Sequence, residues 1–136
     1  MKNRDIIRLL NQDIVGEIEA ILIYMRDSFV TEQCPSSRKL EETAKDEMRH
    51  VEWLAELIVD LGGIPSMEHR VLNFGRSGVN GYLKRAIELE KEAIGMYREH
   101  IGLIGDGEIA EKLRHILEEE EGHLKEFQKL LKGEKS

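Results

Sequence analysis

Residues Leu40–Leu54 read LEETAKDEMRHVEWL. Leu40, Ala44, Glu47, Val51 and Leu54 recur at steps of four and three, the spacing that keeps side chains on one face of an α-helix. The middle of that apolar stripe is a glutamate, and an ionised carboxylate facing a core is costly unless something compensates it. Three residues on comes His50, turned about 300° around the axis and so projecting to the same side. The same stripe occurs three more times, as Leu10-Ile14-Glu17-Ile21-Tyr24, Leu83-Ile87-Glu90-Ile94-Tyr97 and Leu113-Leu117-Glu120-Leu124-Phe127. The second pair of stripes repeats the first at an offset of 73 residues. His123 follows Glu120 as His50 follows Glu47, whereas Ala20 and Ala93 stand three residues after Glu17 and Glu90. Four inward glutamates in one phase point to a metal site.

Four long amphipathic segments predict an all-α chain, and its 136 residues are expected to form one domain, 1–136. Two prolines and few aromatics agree with helix rather than sheet. A formal charge of −7 argues against a nucleic-acid partner, which recruits basic surfaces. Cys34 is the lone cysteine, so no intrachain disulfide forms and a reducing cytoplasm is the expected setting. No apolar run reaches transmembrane length, and the start Met1-Lys2-Asn3-Arg4-Asp5 lacks the apolar stretch of a signal peptide.

The breaks set the topology. The first helix is expected from near Asn3 to about Glu32, ending before Cys34-Pro35, with Ser36 or Ser37 capping the second. The second runs to Leu61 and stops at Gly62-Gly63-Ile64-Pro65. A third starts between Ser77 and Asn80 and ends at Ile104; a fourth, capped by Asp106, runs to about Lys132, and residues 133–136 should fray. Short breaks after the first and third helices force antiparallel hairpins. A helix of this length is about 40 Å long, and the segment from Gly63 to Gly78 can extend roughly 50 Å. It can climb the whole bundle, which makes two antiparallel hairpins joined by a long crossover between the second and third helices, a ferritin-like four-helix bundle. Glu17, Glu47, Glu90 and Glu120 then fall in its middle layer.

Four glutamates carry about −4 at neutral pH, which two divalent cations cancel. Carboxylates with one imidazole per metal suit iron or manganese better than zinc, and two lone glutamates with two Glu-x-x-His pairs are the ligand set of ferritin-like di-iron and di-manganese proteins. The expected grouping is Glu17, Glu47 and His50 at one metal and Glu90, Glu120 and His123 at the other, with some carboxylates bridging. Asp46 and Glu119 can each reach the free ring N–H of a histidine on the neighbouring helix. Tyr24 and Tyr97 can hydrogen-bond a ligand carboxylate or fill core volume. Gly16, Gly95 and Gly122 either make room near the metals or allow close helix packing, and Trp53 reads as core.

The run from Leu10-Asn11 through Glu17-Ile18-Glu19-Ala20-Ile21 to Tyr24 resembles the first helix of bacterioferritins. Asp46-Glu47-Met48-Arg49-His50 and Glu120-Glu121-Gly122-His123 resemble their second- and fourth-helix metal motifs. The resemblance covers about residues 10–132 and implies a di-iron ferroxidase centre, with Fe(II) oxidised by O₂ or hydrogen peroxide for iron storage or detoxification. It implies Glu17, Glu47, His50, Glu90, Glu120 and His123 as catalytic metal ligands. It also implies Met48 as a ligand to haem b shared across a two-fold axis, hence a homodimer or larger homo-oligomer. Two departures qualify it. The sequence shows no fifth short helix of the kind that lines pores in large ferritin cages, and Glu119 stands where the family commonly has Asp. The alternatives are a rubrerythrin-like peroxidase or other di-iron oxidase, although a rubredoxin-like Cys-x-x-Cys module is absent, and a protein that sequesters metal without turnover.

Overall fold

In the computed structural model, which describes residues 1–133, the four apolar stripes form four helices. These are α1 (Asn3–Val30), α2 (Pro35–Asp60), α3 (Val79–Ile104) and α4 (Glu108–Leu131). There is no strand among the described residues. The fraying expected over 133–136 lies, from 134 onward, outside them.

Two of the expected caps are different residues. Helix α2 starts at Pro35, whose fixed φ suits the first helical position. Cys34 is its cap, the thiol accepting from the Ser37 amide at 3.4 Å while the Ser37 hydroxyl accepts from the Cys34 amide at 3.0 Å. Ser37 is therefore the return half of a capping box rather than the cap itself. Helix α4 is preceded by Gly107 at φ +116°, a conformation that favours glycine, and no side chain caps it. Asp106 is fully exposed and lies 3.8 Å from Arg114.

Helix α1 packs on α2 and α3, and α4 on α3 and α2. Tyr24, late in α1, reaches Glu90 in the first half of α3, and Asp13, early in α1, pairs with His100 near the end of α3. Helices α1 and α3 are therefore antiparallel neighbours. Residues 61–78 form the crossover, which climbs along α1. Asn11 bonds Ile64 and Ser66, Arg70 reaches Glu19, and Phe74 lies under the Arg26 guanidinium at 3.6 Å.

The apolar core is in two parts. One is built around Ile23, Tyr24, Leu40, Leu83 and Phe127, the other around Leu10, Ile14, Leu54, Ile58, Leu113 and Ile116. Between them lies a layer of buried charge, held in place by apolar packing above and below.

Candidate metal centre

All six sequence-predicted ligands meet in that layer. Glu17, Glu47, His50, Glu90, Glu120 and His123 are each at most 5% exposed. Their donor atoms form two groups, each within 4.8 Å: Glu17, Glu47, His50 and Glu120, and Glu47, Glu90, Glu120 and His123. Glu47 and Glu120 belong to both. The expected grouping by hairpin, three ligands to each metal, is thereby refined: α2 and α4 each supply the carboxylate that sits between the two histidines. Glu47 Oε1 lies 3.1 Å from His50 Nδ1 and 3.6 Å from His123 Nδ1. Glu120 Oε1 lies 3.0 Å from His123 Nδ1 and 3.6 Å from His50 Nδ1.

The histidines are oriented from behind. His50 Nε2 is 3.0 Å from Glu119 Oε1 on α4, and His123 Nε2 is 2.8 Å from Asp46 Oδ2 on α2. Each acid thus serves the histidine of the other helix, as the motif spacing predicts. A proton held at Nε2 would leave Nδ1, which faces the carboxylates, free to ligate a metal. The tyrosines act on the remaining pair: Tyr97 donates to Glu17 at 3.2 Å and Tyr24 donates to Glu90.

Electrostatically the cluster is strained without cations. Burial, with repulsion from Glu120 next, pushes Glu90 up to about 7. Burial, with repulsion from Glu17 next, does the same to Glu120, and Glu47 rises well above the ordinary carboxylate range for like reasons. Burial alone would lower both imidazoles, but Glu17 lifts His50 to about 9, and Asp46 with Glu120 and Glu90 lifts His123 to about 12. The hydrogen bond from His123 holds Asp46 down at about 2. Glu47 Oε1 and Glu120 Oε2 are buried without a hydrogen-bond partner. Buried carboxylate oxygens left unmatched are costly, and divalent cations of hard or borderline character would supply what they lack. The donor set fits such cations.

Several other expectations are adjusted. Trp53 is only half-buried, its ring 5.6 Å from that of His50 and 5.3 Å from that of His115 at the edge of the α2–α4 seam. A Cβ on Gly95 or Gly122 would meet nothing within 4 Å, so neither makes room nor permits close packing. Of the three, Gly16 alone is crowded, with Met96 Cε 3.3 Å from such a Cβ. Met48 is 43% exposed and turned out of the bundle, as its rotation from the seam predicts. The sequence reading missed the buried Asp13–His100 pair at 3.0 Å and the buried Glu19 with its arginines. Asp13 sits one turn before Glu17 and has Ala86 as its repeat counterpart, a break in the repeat that was a visible signal.

A four-helix bundle with two hairpins, one long crossover and a carboxylate–histidine layer at mid-height defines the ferritin-like di-iron class. The chain matches the ferritin-like domain of the ferritin family over residues 7–135 and belongs to that family. It is similar to the Desulfovibrio desulfuricans bacterioferritin, whose di-iron site has been described in different catalytic states. The two share 26% identity over 96% of this chain and 80% of that one, with a TM-score of 0.88. It is also similar to a ferritin-like di-iron-carboxylate protein of Bacillus anthracis strain Ames, with 26% identity over 95% and 96% of the two chains and a TM-score of 0.86. The fold is shared too with the bacterioferritin-related protein of Bacteroides fragilis, a dodecameric thioferritin, at 23% identity over 98% and 88% and a TM-score of 0.87. No curated protein matches the chain by sequence. No helix among the described residues is long and apolar enough to cross a membrane.

Proposed function

We propose that the chain is a ferroxidase that binds two iron ions through Glu17, Glu47, His50, Glu90, Glu120 and His123. The observation that carries this reading is the pair of donor groups sharing Glu47 and Glu120. When bound, two Fe(II) supply the two electrons that reduce hydrogen peroxide and two protons to two waters, or O₂ and two protons to hydrogen peroxide. The protein's part is positioning. Glu47 and Glu120, common to both donor groups, would hold the two ions, and His50 and His123 would each present Nδ1 with the proton kept at Nε2 by Glu119 and Asp46. Tyr97 and Tyr24 fix the rotamers of Glu17 and Glu90. Burial between two apolar clusters keeps bulk water from competing for the carboxylates.

Iron rather than manganese is favoured by the di-iron description of the relatives. The physiological role in this reading is iron detoxification or storage in the cytoplasm by a homodimer or larger homo-oligomer. Dodecameric assembly of the thioferritin supports oligomerisation, and the outward Met48 suits a two-fold contact, where haem b would find a methionine from each subunit.

Stopped-flow oxidation of Fe(II) by O₂ and by hydrogen peroxide tests the reading. His50→Ala and Glu120→Ala should each abolish rapid oxidation while keeping the helical circular dichroism. Oxidation at the parent rate in both variants sinks the assignment. A parent that binds two irons without turnover is a sequestration protein, and one that turns over only with peroxide is a rubrerythrin-like peroxidase.

A further inference from the structure

A cavity of about 110 Å³ lies between α1 and α3, and Glu17 and Glu47 form part of its wall. Small residues, Gly16, Ala20 and Ala93, leave the space open along the helix seam, and Met96 narrows it with a flexible thioether. The wall is acidic, with Asp13 and Glu92 joining the two candidate ligands. One cation stands in it. Arg70, on the crossover, lines the same cavity and is about half exposed.

Its guanidinium is not free to swing. Glu19, only 3% exposed, accepts from Arg70 Nε at 2.8 Å, and Arg70 Nη2 lies 2.6 Å from the same Oε1. On the α3 side the same Nη2 is 4.0 Å from Glu92 Oε2. The group therefore straddles the two helices that flank the cavity. Arg85 already lies 3.5 Å from the other oxygen of Glu19, so Arg70 is not that carboxylate's sole compensation.

We infer that Arg70 is the residue that governs cation uptake by the centre: a fixed positive charge at the mouth of the α1–α3 passage that slows divalent cations and leaves neutral oxidants unaffected. The inference rests on the metal-centre reading above. A charge at this position repels an approaching dication, whereas O₂ and hydrogen peroxide carry no net charge for it to act on. With the guanidinium gone, the acidic wall is unopposed and draws cations in. One unit charge about 10 Å from a dication in a water-like dielectric changes the uptake rate by about fourfold. The effect should shrink as salt screens it.

The test follows Co(II) uptake by the intact protein in a stopped-flow spectrometer, reading the visible bands of the bound ion, so that no turnover is needed. Arg70→Gln should load about fourfold faster than the parent at low ionic strength, the gap closing in high salt. Arg70→Lys keeps the charge and should load at close to the parent rate. A merely structural clip predicts that Lys groups with Gln, apart from the parent, because both lose the paired contact to Glu19. Ala93→Leu, which fills the passage, should slow loading in every background. Peroxide oxidation of protein already loaded with Fe(II) should be equally fast in parent and Arg70→Gln. Parent-like loading by Arg70→Gln at low salt overturns the inference, as does parent-like loading by a folded Ala93→Leu. Equilibrium binding separates the two layers of argument: a parent that takes up two Co(II) keeps the centre whatever the rates show, and one that takes up none overturns the centre and the gating role together.

Discussion

Removing metal should make the protein less stable as the pH rises from 5 to 8. Glu90 and Glu120, which belong to the ordinary carboxylate range near 4.5 when unfolded, are each held at about 7 in the fold, first by burial and then by neighbouring carboxylates. Between those values the folded protein keeps protons that the unfolded chain releases. Their stabilising contribution is whole below pH 4.5 and is lost as the pH passes 7. His50, raised from 6.5 to about 9, acts in the same sense and carries the loss further upward. Asp46, held down at about 2, acts in the opposite sense but only below pH 3.8, outside this window. At about 1.4 kcal/mol per pH unit, each glutamate is worth on the order of 3 kcal/mol. Because the two titrate as an interacting pair, the drop is on the order of 5 kcal/mol in all. For a chain of this size that lowers Tm by roughly 10–20 °C. Melting followed by circular dichroism, on EDTA-treated protein at pH 5, 6, 7 and 8, measures it. Anaerobic Fe(II) or Mn(II) should reverse the slope, because the ions replace the protons and binding releases them. Glu90→Gln should flatten the slope and raise the apo Tm at pH 8. An apo Tm that stays level or climbs with pH, or one that the ions leave unchanged, refutes the reasoning.

Four further outcomes are expected. Asp46→Asn loses the carboxylate behind His123 Nε2 and should weaken metal affinity by about 10- to 100-fold, read by titration with Co(II). Leu54→Ala, at a fully buried position below the charged layer, should cost about 2–5 kcal/mol in urea unfolding with an unchanged m-value. Gly95→Ala should stabilise by about 1 kcal/mol, since it removes a helical glycine and its Cβ meets nothing; a destabilised variant would show that this surface is covered in an assembly. The same protein mixed with haemin should show a Soret band that Met48→Ala abolishes if the outward methionine holds haem, and a dimer without that band makes Met48 a packing residue.

The sequence alone determined the four helices, their hairpin-and-crossover order and the six-residue layer. Those features are local or nearly so. A stripe at steps of four and three, an i, i+3 Glu–His pair and a connection long enough to span the bundle each read directly along the chain. Cross-helix service of the histidines by Asp46 and Glu119 was also legible, because adjacent residues on a helix bracket its inward face. Tertiary structure decided the rest. Which carboxylates stand between the histidines depends on how α2 faces α4, and it selects Glu47 and Glu120 over Glu17 and Glu90. The Asp13–His100 pair joins residues 87 apart, and Arg70 meets Glu19 only because the crossover runs up α1. Cys34 rather than a serine caps α2, since a hydrogen bond back from Ser37 closes the box. Periodicity tells which way a side chain points from its own axis. Only the packing of one axis against another tells what it meets there.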